Sequence, residues 1–419
     1  MKRSTTLIII FVVIITLAIA FTFRTEQITL HPDNYPEKLN TTTVFASQKT
    51  TPHQPLGVLI TEEHYENEQA SFTVTYQPIE GDRVYAFMAH QVFLDTDGVV
   101  ELALVPYAVH EKGSVVVHLW DAETNTHQVS TTFAEEGFAY RVESAVLSSD
   151  AQTLYVVVTN TDRDYNAIWN DLDVSLDQYL INTRLYAVTV ADGTRELLDE
   201  QRQDQMTYSI EHAGSGALIL TEMQSEVEWS RLSIFDVASK RIVYREKAKD
   251  LYLSDVSPNG RFLAYVPLLS KAGFFDPADT VLVELTTSGV VTEKVFNDMD
   301  WGLTYDEYGQ LVTDPWVSWG SLRWSEDNAG LFLGRTTGTM DNPWWTVVHV
   351  DLTTQKTELL DTLTDDRAPA IFLGWYRGQA YIKSFEDAYE SQVVAYPSEV
   401  SLVASNGNEQ LYLVLDSTD

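Results

Sequence analysis

The sequence predicts an all-β protein assembled from a repeated four-stranded unit behind an N-terminal hydrophobic helix, and three observations carry that prediction. A hairpin written most fully as SDVSPNGRFLAYVPLL, residues 254–269, returns at intervals along the chain. A second pair of strands with comparable text follows the copies. Of the 419 residues, 44% are hydrophobic, with 21 Tyr, 17 Phe and 10 Trp, which is a globular composition able to bury large sheets against one another.

The first 24 residues, MKRSTTLIIIFVVIITLAIAFTFR, place Lys2 and Arg3 ahead of an uncharged run from Leu7 to Phe23, closed by Arg24. At about 1.5 Å per residue, that run sits at the lower edge of what spans a bilayer as a helix. Positive residues on its N-terminal side direct the rest of the chain out of the cytoplasm. The expectation for 1–24 is a single-pass membrane anchor with the C-terminal domain outside. The alternative is a signal peptide and a secreted protein, cleaved near Ala20, because Ala18-Ile19-Ala20 has the small-x-small pattern of a cleavage site. The apolar run continues through Phe21 and Phe23, which favours the anchor. Residues 25–54 are rich in Thr, Pro, Gln and Asn and lack sustained periodicity, so they read as an extracytoplasmic spacer. Residues 55–419 read as the folded domain.

Within that domain the hairpin recurs. Ser144–Asn160 (SAVLSSDAQTLYVVVTN), Tyr208–Met223 (YSIEHAGSGALILTEM) and Ser321–Thr336 (SLRWSEDNAGLFLGRT) each show a strand, a polar turn and a second apolar strand, with weaker copies from Gln91 and Ile371. Second pairs follow at 114–133, 183–200, 230–247, 280–296 and 345–362, where a β-branched strand ends in Asp, Thr or Gly before a tight turn and a polar-alternating strand. Four antiparallel strands make one propeller blade. A lone meander leaves both faces of its inner strands uncovered, so neighbouring blades must bury each other around an axis. Six hairpins give six blades. Strands near 56–61, 71–77 and 401–416 complete a blade or add one by joining the two ends of the chain, so the prediction is a β-propeller of six to eight blades.

Ser257-Pro258-Asn259-Gly260-Arg261-Phe262-Leu263-Ala264-Tyr265 resembles the S-P-D-G-x-x-L-A-Y hairpin of TolB-like and prolyl-oligopeptidase-type propellers, with Asn259 where Asp is usual. Ser149-Asp150 and Ser325-Glu326-Asp327 are partial echoes. The motif is architectural in those families, so the resemblance implies a fold and transfers no catalytic residue. It implies a bacterial surface or periplasmic protein of TolB-like type.

Charge and cysteine content bound the chemistry. All 61 carboxylates and 25 of the 27 Lys and Arg residues follow residue 23, leaving that part with a formal charge of −36. Such a surface repels nucleic acid and anionic headgroups and attracts cations and basic partners. With no cysteine there is no disulfide, thiolate metal site or cysteine nucleophile. Gly214-Ser215-Gly216 is a glycine-rich turn and not a nucleophile elbow, and no Walker loop, dinucleotide fingerprint or H-E-x-x-H occurs. His110 and His118 lack a third ligand, and Asp95-Thr96-Asp97-Gly98 begins like a calcium loop but puts Pro106 where a bidentate glutamate belongs. No cofactor and no metal centre is expected. The acidic stretch 163–179 carries Ile168, Leu172 and Leu176 at four-residue spacing, which predicts a short helix inside the second blade with Asp171, Asp173 and Asp177 mostly outward.

Six of the ten tryptophans fall between 301 and 345. This aromatic insertion, WGLTYDEYGQLVTDPWVSWGSLRW followed by Trp344-Trp345, is the candidate ligand site: Trp301, Tyr305, Trp316, Trp319, Trp344 and Trp345 to stack on a ligand, Asp306 and Asp314 to accept its hydrogen bonds. The opposing reading packs Trp316, Trp319 and Trp324 between blades and starts an inner strand at Trp344-Trp345. The expected function is that of a membrane-tethered binding or scaffold module for a protein, peptide or cell-wall polymer. The alternative is a propeller glycoside hydrolase or lyase using paired carboxylates in the central channel.

Overall fold

The computed structural model describes residues 53–416 apart from the stretches 162–181, 286–292, 297–320 and 361–369 and shorter stretches between strands. Strand pairing sorts the described chain into seven sheets. Blades 1 to 6 follow the sequence, each starting from its innermost strand: Gln91–Val92, Ala139–Leu147, Thr207–Ala213, Leu251–Val256, Ser321–Trp324 and Ala370–Tyr376. These are the six hairpins read from the sequence. Blade 7 is built from both ends of the described chain. Glu409–Leu415 is followed outward by Pro55–Glu66, Gln69–Pro78 and Tyr85–Ala89, with Val414 opposite Gly57 and Leu411 opposite Ile60. The ring therefore has seven blades: of the spare strands, Pro55–Glu66, Gln69–Pro78 and Glu409–Leu415 go to the seventh, while Val400–Asn406 completes blade 6 as its outer strand.

Seven apolar clusters, one at each blade-to-blade interface, close the ring. The second strand of blade 2 shows why the inner strands read as unbroken apolar runs. Leu154, Val156 and Val158 pack toward blade 1 while Tyr155 and Val157 pack toward blade 3, and all five are buried. A strand covered on both faces has no polar side to show. The outer strand Arg195–Arg202 (RELLDEQR) is mostly exposed, with Leu198 its one buried residue among those described.

The recurring Ser-x-Asx turn has one chemistry in three blades. Ser148, Ser257 and Ser325 each donate a hydroxyl hydrogen bond to Asp150, Asn259 and Asp327, at 2.6, 2.8 and 2.6 Å. Each serine oxygen also accepts the N–H of the residue five positions on, Thr153, Phe262 or Gly330, at 2.9, 2.8 and 2.7 Å. The position three after the serine is left-handed in all three: Ala151 at φ 55°, Gly260 at 65° and Asn328 at 59°. That requirement explains the glycine in the best-preserved copy.

One feature differs from the sequence expectation. The copy at Gln91 is not a tight hairpin. Val99-Val100 leave blade 1 to pair in parallel with Leu413 and Val414 of blade 7, and the backbone returns through left-handed Leu102 (φ 64°) and Ala103 (φ 51°). Trp344-Trp345 stand near the start of the third strand of blade 5, opposite Thr337 and Thr336. Trp324 does pack between blades as expected, stacked on Phe262. The N-terminal run, the spacer up to 52 and the acidic helix expected over 163–179 lie outside the described residues; the two strands flanking the last, Thr153–Thr161 and Asn182–Thr189, are hydrogen-bonded neighbours in blade 2. Among the described residues no helix is long and apolar enough to cross a membrane.

Candidate functional site

The inner strands present an unpaired edge to the channel, and polar side chains tie that edge from blade to blade. The Ser144 hydroxyl oxygen of blade 2 accepts the Ile210 N–H of blade 3 at 2.9 Å, Asp255 of blade 4 accepts the Trp324 N–H of blade 5 at 2.8 Å, and Ser321 of blade 5 accepts the Phe372 N–H of blade 6 at 3.1 Å. Each bond satisfies a backbone donor that no strand reaches. The channel wall is thereby fixed before any ligand arrives.

At the end where the inner strands turn, the channel opens into a cavity of about 380 Å³ bounded by blades 1 to 4 and by the excursion through Val99–Leu104. Its polar lining combines four carboxylates with four serines and one histidine. Glu101 comes from the excursion, Glu143, Glu211 and Asp255 from the inner strands of blades 2, 3 and 4, and His212 stands beside Glu211. Val99, Val100, Leu102 and Val146 supply apolar wall. Among the described residues no lysine, arginine or tryptophan lines it.

Two strand irregularities put glutamates there. Pairing in blade 2 passes from Val142 to Ser144, skipping Glu143, and pairing in blade 3 passes from Ile210 to His212, skipping Glu211. A bulged residue leaves the ladder and its side chain is re-aimed. The Glu143 Oε1 accepts the Thr159 hydroxyl at 2.6 Å, and its Oε2 stands 3.6 Å from the exposed Arg141. Glu211 Oε1 accepts the Ser209 hydroxyl at 2.9 Å. Asp255 is otherwise engaged: besides the Trp324 N–H it faces Arg323 at 3.8 Å, both side chains buried. The His212 imidazole meets the Ser254 hydroxyl at 3.3 Å. Asp255 thus serves the ring, while Glu143 and Glu211 serve the cavity as hydrogen-bond acceptors and negative charges.

Among the described residues, no three His, Asp or Glu side chains converge as metal ligands do. His110 and His118 do not form a pair, since the register sets His110 opposite Val115 and His118 opposite Tyr107, on opposite faces of the blade 1 sheet. Instead His110 packs on His90, and His118 stacks on Tyr107 at 4.8 Å.

Of the residues singled out from the sequence, Trp301, Tyr305, Asp306, Asp314, Trp316 and Trp319 lie outside the described residues. Trp344 and Trp345 have their backbone in the third strand of blade 5, and their side chains lie outside the described residues. The residues that line the channel cavity were not selected from sequence, although a signal existed. When the hairpins are aligned on their turns, Glu143, Glu211 and Asp255 interrupt inner strands (RVESAVL, YSIEHAG, LSDVS) whose partners are continuously apolar.

No protein-family model matches the chain, and no curated protein matches it in sequence. Solved propellers resemble it in fold. TolB from Acinetobacter baumannii is 10% identical with a TM-score of 0.35, over 85% of this chain and 82% of that one. Pyrococcus horikoshii acylaminoacyl peptidase is 10% identical with a TM-score of 0.49, over 87% of this chain and 53% of the peptidase, so the chain spans about half of that enzyme. An oligogalacturonate lyase from Vibrio parahaemolyticus is 11% identical with a TM-score of 0.43, over 84% of this chain and all of that one. The protein is a seven-bladed β-propeller with a fold-level resemblance to TolB-like and prolyl-oligopeptidase-type propellers. The likeness extends to architecture and no further.

Proposed function

We propose that this protein is a membrane-tethered, extracytoplasmic recognition module that takes the amine-bearing part of a peptide or cell-wall polymer into the turn end of its channel. The carrying observation is the cavity, whose bulged glutamates from neighbouring blades sit on a wall fixed by blade-to-blade hydrogen bonds. An ammonium or guanidinium on an aliphatic stem matches it: carboxylates for the charge, Val99, Val100 and Leu102 for the stem. The anchor and spacer read from the sequence supply the tether.

Isothermal calorimetry of the full chain with an acetylated tri-lysine peptide tests the reading. The E143Q/E211Q variant should bind about tenfold or more weakly than wild type, the loss of one to two charge-assisted contacts. Equal affinity removes the cavity from consideration. The glycoside hydrolase or lyase reading would use the same pair as its two carboxylates. Release of new reducing or unsaturated ends from acidic polysaccharides, lost in E143Q, would favour it over recognition.

A further inference from the structure

The two bulged glutamates of the cavity are not equivalent, and the difference lies two residues upstream of each. Before Glu211 that position is Ser209, whose hydroxyl donates to Glu211 Oε1 at 2.9 Å. Before Glu143 it is Arg141, whose Nε stands 3.6 Å from Glu143 Oε2. The ladder explains the approach. Thr159, on the second strand of blade 2, is the cross-strand partner of Arg141, so the two side chains share one face with their Cβ atoms about 5 Å apart. Glu143 Oε1 accepts the Thr159 hydroxyl at 2.6 Å, and a carboxylate drawn to Thr159 brings its second oxygen to Arg141 with it. Oε1 is thereby committed, and Oε2 is the oxygen over which a ligand and Arg141 meet.

That contact is near but loose. At 3.6 Å it is longer than a hydrogen bond, and the Arg141 side chain is 53% exposed while that of Glu143 is 29% exposed. Solvent screens a pair of this kind, and holding the long arginine in one geometry costs rotamer freedom. An ammonium in the cavity at hydrogen-bond length holds Oε2 more strongly, and it repels a second cation at the same oxygen. We propose that Arg141 is the resident counter-ion of Glu143, which an incoming ammonium displaces, so that Arg141 sets how tightly the cavity binds its ligand. The inference rests on the recognition reading above and adds the group against which the ligand competes. It also ranks the two carboxylates. Glu211, beside a neutral hydroxyl, presents its whole charge to the cavity, whereas the charge of Glu143 is partly met already.

Calorimetry of the full chain with acetylated tri-lysine tests the competition. R141Q should bind about two- to fivefold more tightly than wild type, the release of one exposed charge pair. R141K keeps the charge and should bind more weakly than R141Q. K356Q removes one positive charge from the exposed outer strand of blade 5, Lys356–Leu359, and so controls for the overall field of the protein. The gain from R141Q should vanish when it is made together with E143Q, and E211Q alone should cost more affinity than E143Q alone. Equal or weaker binding by R141Q, an equal gain in K356Q, or a gain that survives E143Q overturns the counter-ion role while leaving recognition standing. A larger loss in E143Q than in E211Q overturns the ranking. Absence of tri-lysine binding in wild type and R141Q alike overturns recognition and this inference with it.

Discussion

Ala151 carries the cost of a rule that Gly260 meets without strain. Both hold the left-handed position three residues after the turn serine, and Ala151 does so at φ 55° with a Cβ that the conformation disfavours. Replacing Ala151 with glycine should raise stability by about 1 kcal/mol, read as a higher urea midpoint at an unchanged slope. At this scale the sequence was informative about turns and nearly silent about the site. Ser257, Pro258, Asn259 and Gly260 announce themselves because their roles are local: each acts within five residues of itself. Glu143 and Glu211 show in the sequence only as breaks in inner strands, because what places them at the cavity is a bulge and a neighbouring blade.

Blade 3 shows how an element is stapled once its strands are paired. Glu222, on the second strand, is fully buried yet charged partners reach it from both outer strands. Arg231 donates at 2.8 Å, Ser233 at 2.5 Å and Arg245 at 3.1 Å. Burial pushes the Glu222 carboxyl up, but the hydrogen bonds from Arg245, Ser233 and Arg231 outweigh it and hold it below the ordinary glutamate range. A folded pKa below the unfolded one gives stability that is present at neutral pH and lost as pH falls through 4.5 and below. E222Q should cost about 2 kcal/mol at pH 7. Urea midpoints should show the gap to wild type closing as the pH drops below 4.5. The four-strand element was legible in the sequence, since strand, turn and alternation are all near-neighbour patterns. The staple was not, because its members come from three strands.

The ring is closed by one strand from the far end of the chain. Glu409–Leu415 is the innermost strand of blade 7 and the apolar floor of two interfaces, through Leu411, Leu413 and Leu415 toward blade 6 and Val414 toward blade 1. Ending the chain at Asn406 leaves blades 6 and 1 with exposed apolar faces and leaves Pro55–Glu66 without its inner partner. Such a chain should unfold without a single cooperative transition and elute larger than its mass predicts, as judged by urea titration and gel filtration; a cooperative compact species would show that the closure is dispensable.

The sequence by itself determined that the chain is all-β, that its unit is a four-stranded blade, and that six copies and two loose ends had to be accommodated. Those properties follow from turn chemistry and from apolar runs covered on both faces, and both are written within some twenty residues. Only the tertiary structure decided that strands from the two ends make a seventh blade, that Val99-Val100 leave their hairpin to pair with blade 7, and that the carboxylate-bearing cavity sits among blades 1 to 4. Each of these joins residues from different copies of one repeat. A repeat says what its neighbours will be but not which side chains the closing of the ring will bring face to face.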